Sequence, residues 1–426
     1  MSSPTEPAGT SEPVGAAGAG VRPARRRGRG AKLGWAILLT LALIVAAVVA
    51  VLTVGSLVPG LGLLSAIANL LAATLSPQFA LAGLVIAAIG VIAWRRGLRR
   101  SGGTAAVLGA ASLVANVVVV AVIVGAVSDH GGSVNLAKAT FGLSSISAPA
   151  PDEVRTYDRT QDGEELTLDI FTPATRGDDP ASDLAPAVLY VHGGGWSQGS
   201  GTTTAADHRA LADAGYVVVS VNYELSTESN PTWDKAPAQV SCAAAWLSEH
   251  ATELGVDMNR LAYWGDSAGG NLALNAAYSA AQGTALSSCG GTVPVPAAVV
   301  TDYPAADVRA SAASTVSLGP LNGAGLSQQY IGGTAQEFPE RYDAVSTATY
   351  LSPQAPPTLI IEPTRDTLVP TRSVLDFAER ARAAGVDVEV AEIPLSWHIY
   401  TQIAADSIGN QAHLSIGMNY LREQLG

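Results

Sequence analysis

Only two of the 426 residues are cysteine, and charged residues make up just 14% of the chain. Cys242 and Cys289 stand 47 positions apart, which excludes a disulfide-dense scaffold and any close-spaced Cys-x-x-Cys zinc or redox site. Charge is missing altogether from two stretches, 62 consecutive positions between Lys32 and Arg95 and 28 between Arg100 and Asp129. Beyond them basic residues are scarce, with 14 Lys and Arg against 34 Asp and Glu. Nucleic-acid binding needs a basic face to neutralise phosphates, so a nucleic-acid partner is excluded.

What is present falls into blocks. Residues 1–32 are rich in Gly, Pro, Ala, Ser and Arg without an apolar period, and are expected to form a disordered basic tail. Residues 33–127 read as a helical transmembrane region, with spans expected at 33–58, 79–94 and 104–127. The first run alone is long enough to cross a hydrocarbon core of ~30 Å at ~1.5 Å per residue. Pro59-Gly60 and Ser76-Pro77 mark breaks, and Leu61–Leu75 between them is expected to lie in the interface. With three spans, the N-terminal arginines and Arg95, Arg96, Arg99 and Arg100 share one side, which the positive-inside rule makes cytoplasmic. The expectation is a multi-pass protein of the cell membrane with its N-terminus cytoplasmic and everything beyond Val127 outside. Residues 128–152 read as a linker. From 153 to 426 strand and helix patterns alternate, which argues for an α/β domain with a mostly parallel sheet.

Two motifs carry chemistry. Gly265-Asp266-Ser267-Ala268-Gly269-Gly270 follows a strand pattern and opens a helical one. A G-x-S-x-G there is a nucleophile elbow, whose small residues permit the sharp turn that lifts the serine Oγ clear of the sheet. The other motif, His192-Gly193-Gly194-Gly195-Trp196, lies 75 residues upstream, directly after a strand pattern. Acyl transfer builds negative charge on a carbonyl oxygen, and main-chain N–H groups offered by such a loop stabilise it by ~3–4 kcal/mol per donor. The serine needs a base, and the base an orienting acid. His398 falls in the loop after the last strand pattern, whereas His208, His250 and His413 sit in polar helical settings and are expected to be solvated. Asp366 follows the strand at 358–362 and is preferred to Asp302 and Glu362. The order Ser267, Asp366, His398 is that of α/β-hydrolases.

In these residues the chain resembles the α/β-hydrolase superfamily, and within it esterases related to hormone-sensitive lipase and to bacterial feruloyl and acetyl esterases. The resemblance covers about residues 153–426. It implies an α/β-hydrolase fold, a mostly parallel sheet with helices on both faces, behind the transmembrane helices. It further implies Ser267 as nucleophile, His398 as base, Asp366 as orienting acid, and an oxyanion hole from the N–H groups of Gly194, Gly195 and Ala268. No cofactor and no metal are implied. Two positions depart from the family pattern: Glu224 replaces an arginine after Asn222-Tyr223, and Glu362-Pro363 replaces His-Gly before the acid.

Trp264, on a central strand pattern, is expected in the core. Trp196 and Trp397 are expected either at the substrate pocket or in structural packing. With the domain facing an oxidising compartment, Cys242 and Cys289 are expected either to form a disulfide, stabilising the fold by ~2–4 kcal/mol, or to remain two unpaired buried thiols. The expected function is a membrane-anchored serine esterase acting on a small-molecule ester, with the bilayer as its other partner and no protein partner indicated. The alternatives are an acyltransferase or an amidase or peptidase with the same triad, or a catalytically silent binding module.

Overall fold

A computed structural model describes residues 26–142, 144–174 and 184–426. Three helices come first: Arg26–Leu57 (α1), Leu63–Arg95 (α2) and Arg99–Asp129 (α3). Each contains a stretch long and apolar enough to cross a membrane. α2 and α3 meet along a seam of glycines. A Cβ on Gly90 would fall 2.3 Å from the Ala106 amide nitrogen, and one on Gly109 would fall 2.4 Å from that of Ala87. Only a residue without a side chain lets two backbones approach this closely.

The structure corrects the expected boundaries. Helix is already present at Arg26, the first described residue, rather than starting at 33, and the rest of the expected tail, residues 1–25, lies outside the described residues. The break at Ser76-Pro77 does not occur, and Leu61–Leu75 is not a separate interfacial helix, because α2 runs unbroken through Pro77. A proline inside a helix costs about 3 kcal/mol or more through its missing N–H and its ring. Here Ala72, Ala73, Ser76 and Pro77 are all buried, so packing by neighbouring elements outweighs that local preference. The leucines of this segment suggested an interface. Its alanines decide the matter, since Ala66, Ala72 and Ala73 pack onto the rest of the chain. The expected linker is also structured in part. Leu136–Phe141 forms a short helix (α4) capped by Asn135, and Gln78 Nε2 donates to the Ala139 and Thr140 carbonyls at 2.7 and 3.1 Å.

The remainder alternates as read. It begins with Glu153–Arg159 (β1), Glu165–Phe171 (β2), Ala185–Val191 (β3), Ala205–Asp213 (α5), Val217–Val221 (β4), Ala236–Glu249 (α6) and Ala251–Leu254 (α7). Val256–Asp266 (β5), Ser267–Gln282 (α8), Ala298–Asp302 (β6) and Val308–Ala312 (α9) follow. A two-stranded hairpin, Ser317–Leu318 (β7) and Leu321–Asn322 (β8), leads into Gly323–Ile331 (α10) and Pro339–Val345 (α11). Thr358–Pro363 (β9), Thr371–Ala383 (α12), Val388–Ile393 (β10) and Ile408–Leu425 (α13) complete the chain.

Among the described residues, eight strands form one sheet in the order β1-β2-β4-β3-β5-β6-β9-β10. β1 and β2 join antiparallel, and from β4 onward every neighbour is parallel. Side chains alternate across the pleat. Leu189 and Val191 of β3 therefore enter the core under α6 and α8, while Val188 and Tyr190 enter the one under α5 and α13. That second core also takes in Ala72 and Ala73 of α2 and Val119, Ile123 and Val127 of α3, so the helical bundle is continuous with one face of the sheet. The chain leaves β3 toward β4 on one side and returns to β5 on the other. This order reversal opens a crevice at the carboxyl ends of β3 and β5, the place where α/β sheets bind ligands.

Candidate active site

Register brings the two motifs together. Val191, the last residue of β3, pairs with Gly265 near the end of β5, so the glycine loop and the elbow leave the sheet side by side. Close approach explains the small residues. A Cβ on Gly269 would fall 2.0 Å from the Val191 carbonyl oxygen, and one on Gly193 would fall 2.2 Å from the Asp266 carboxylate. Ser267 itself stands at φ 52°, a left-handed conformation that costs a non-glycine residue of order 1–3 kcal/mol. Helix α8 starts at this serine and leaves its first amide groups, Ala268 included, without partners inside the helix.

The three residues remote in sequence converge. Ser267 Oγ lies 2.9 Å from His398 Nε2, and His398 Nδ1 lies 2.5 Å from Asp366 Oδ2. The carboxylate accepts from Nδ1–H, which leaves Nε2 free to accept from the hydroxyl. The Leu368 and Val369 amides donate to the other Asp366 oxygen at 2.9 and 3.1 Å, fixing the acid in its loop. The Tyr303 ring packs against that of His398 with centroids 4.8 Å apart. Ser267 and His398 line a cavity of about 320 Å³, mostly apolar, together with Gly194, Gly195, Leu326 and Leu368.

The competing acids go elsewhere. Asp302 accepts from Trp264 Nε1 at 2.8 Å and faces His413 at 3.3 Å. Glu362 is fully buried, and among the described residues neither of its oxygens has a well-formed hydrogen bond; burial, then the charge of Asp366, pushes its carboxyl well above the usual range. His413 and His208 are buried, not solvated as expected, because α13 and α5 press onto the sheet. Burial alone would lower the His413 pKa, but Asp302 and Asp207 on either side prevail and push it up to about 10. His192 is held down at about 4 by burial and, as neutral imidazole, donates from Nδ1 to the Gly193 carbonyl at 2.6 Å.

Of the two tryptophans, Trp196 lines the cavity, stacked on Tyr330 with centroids 4.4 Å apart. Trp397 does not line it. It is completely buried, its indole N–H donates to Thr367 Oγ1 at 2.9 Å, and it packs with Leu368. Trp264 is in the core, as read. Cys242 and Cys289 are bonded to each other, joining α6 to the loop after α8. Glu224 is a local brace: burial pushes its carboxyl up, yet hydrogen bonds from Asn230, Gln239 and Lys235 outweigh that and hold it below the usual range.

Asp266 is a residue whose part the sequence reading did not assign. Its carboxylate accepts from Tyr190 Oη and the Gly193 amide, both at 3.0 Å, and from Gln402 Nε2 at 2.7 Å. It thereby pins the glycine loop to the elbow, while burial pushes its carboxyl up to about 6. Its place inside the Gly265–Gly270 motif was the available signal. Nothing local in the sequence marks Gln402 or Leu326 as cavity walls.

Comparison with known proteins identifies the family and the fold. The BD-FAE family model matches residues 168–380. The chain is 38% identical over 130 residues to esterase LipI of Mycobacterium tuberculosis, a stretch of 29% of this chain that spans only 38% of LipI. It is 32% identical over 262 residues to ethyl acetate hydrolase of Pseudomonas putida, covering 58% of this chain and 74% of that protein. The apo form of Thermogutta terrifontis esterase 2 superimposes with a TM-score of 0.52 at 25% identity, over 64% of this chain and 94% of that one. The described sheet is thus an α/β-hydrolase fold preceded by three long apolar helices.

Proposed function

The chain belongs to the BD-FAE family, and from that premise we propose that it is a serine esterase anchored in a membrane through α1, α2 and α3. The observation that carries this reading is the relay from Ser267 through His398 to Asp366, with separations of 2.9 and 2.5 Å. Ser267 Oγ attacks the ester carbonyl carbon as its proton passes to His398 Nε2. Asp366 keeps the ring oriented and stabilises the imidazolium. The carbonyl oxygen takes the negative charge within reach of the Gly194, Gly195 and Ala268 N–H groups. His398 then protonates the departing alkoxide, leaving an acyl-serine. Water then gives a proton to His398 Nε2 as its oxygen attacks the acyl carbon; the bond to Ser267 Oγ breaks, Oγ takes that proton back from His398, and the acid is released.

Names of relatives support an ester as substrate: one is called an ethyl acetate hydrolase, another an esterase. The hydrolase domain is placed outside the cytoplasm, with the arginine-bearing turn between α2 and α3 inside. The Cys242–Cys289 bond, typical of an oxidising compartment, supports that placement. Ser267→Ala tests the activity. Its kcat on p-nitrophenyl acetate is expected to fall on the order of 10⁴–10⁶-fold, and turnover equal to that of the unmodified chain would refute the reading.

A further inference from the structure

We infer that the end of α2 nearest the hydrolase domain is part of the apparatus that positions the catalytic acid and base, with Ala66 as its point of contact. The inference rests on the esterase reading for its kinetic consequence, but its contact is independent of it. α2 has 33 residues. At ~1.5 Å each it measures roughly 50 Å, well beyond a ~30 Å hydrocarbon core. The excess is not idle. Ala66, 5% exposed, forms one buried cluster with Leu368 and Trp397, around which Leu70, Leu318 and Leu321 pack.

Those two partners adjoin the relay in sequence and in space. The Leu368 amide donates to Asp366 Oδ1 at 2.9 Å. Trp397 immediately precedes His398, and its indole N–H reaches Thr367 Oγ1 at 2.9 Å, bracing the base loop against the acid loop. Leu321, from the hairpin of β7 and β8, packs on the same cluster and also lines the cavity. Ala66 therefore closes the back of the structure that sets the Asp366–His398 separation. A methyl group fits that space. A larger side chain there is expected to press on the cluster that holds Leu368 and Trp397, and a shift of the reacting groups by ~1 Å costs on the order of a hundredfold in rate. Ala66 touches no reacting atom, so it is a positioning residue.

The test uses the full chain in a bilayer or mild detergent, with Ala66→Val and Ala66→Phe. Leu84→Phe, at an exposed apolar position of the same helix, is the control. With a short soluble ester, kcat is expected to fall with side-chain size, about tenfold or more for phenylalanine, while KM stays within about twofold. Amide exchange at Leu368 and Val369 is expected to quicken in the same order. The Leu84→Phe variant is expected to match the unmodified chain. If the phenylalanine variant at position 66 does not fold, the valine variant carries the comparison. Unchanged kcat and exchange in the valine and phenylalanine variants would overturn the inference, as would an equal loss in the control. If the unmodified chain turns over no ester, it is the esterase reading that falls, and amide exchange still decides the contact.

Discussion

Ser267 is held at a backbone angle that serine rarely adopts, with His398 and Asp366 in line behind it. The relay was legible in the sequence because each member sits at a strand end or in a motif whose chemistry restricts the residue type. The buried charges around it were not. Glu362 carries no sequence mark of its environment, yet it is fully buried and burial raises its pKa. An acid with a raised folded pKa makes no difference to stability at low pH. It destabilises the fold increasingly as pH climbs past the ordinary value of 4.5, since only the unfolded chain ionises freely. Glu362→Gln is therefore expected to raise stability at pH 7 and to have little effect near pH 4, as read by denaturant unfolding at both. His413 has the opposite sign. Its raised pKa stabilises the fold fully below 6.5, and that contribution is lost as pH rises through about 10. His413→Ala is expected to cost about 3–5 kcal/mol at pH 6 and much less at pH 10. An equal cost at the two pH values would contradict the pairing with Asp302 and Asp207.

At the scale of elements, the alternation of strand and helix was readable from periodicity, and the long apolar helices from their lack of charge. Continuity of α2 through Pro77 was not, because it depends on what surrounds the proline rather than on the proline. The same holds for Trp397, which a sequence places beside His398 without saying whether it faces the cavity or the core. The disulfide is an element-scale device. It ties α6 to the loop after α8, away from the residues that line the cavity. Replacing Cys242 and Cys289 by alanine is expected to lower unfolding stability by ~2–4 kcal/mol with kcat on a short ester unchanged. A large loss of kcat in the still-folded protein would show that the bridge also shapes the site.

Across the whole molecule, the helical bundle and the hydrolase domain share a core, since Ala73, Ile123 and Val127 pack with Ile416 and Leu421 of α13. No local pattern announces which helix packs on which sheet face, so this union was invisible in the sequence. It packs α2 and α3 against the domain that holds the candidate site. The most direct measurement is mass-spectrometric mapping of the adduct left by a fluorophosphonate probe on the solubilised full chain. The expected result is one modified residue, Ser267, with labelling abolished in Ser267→Ala and sharply reduced in His398→Ala. An unmodified Ser267 in folded protein, or labelling indifferent to His398, would contradict the proposed relay.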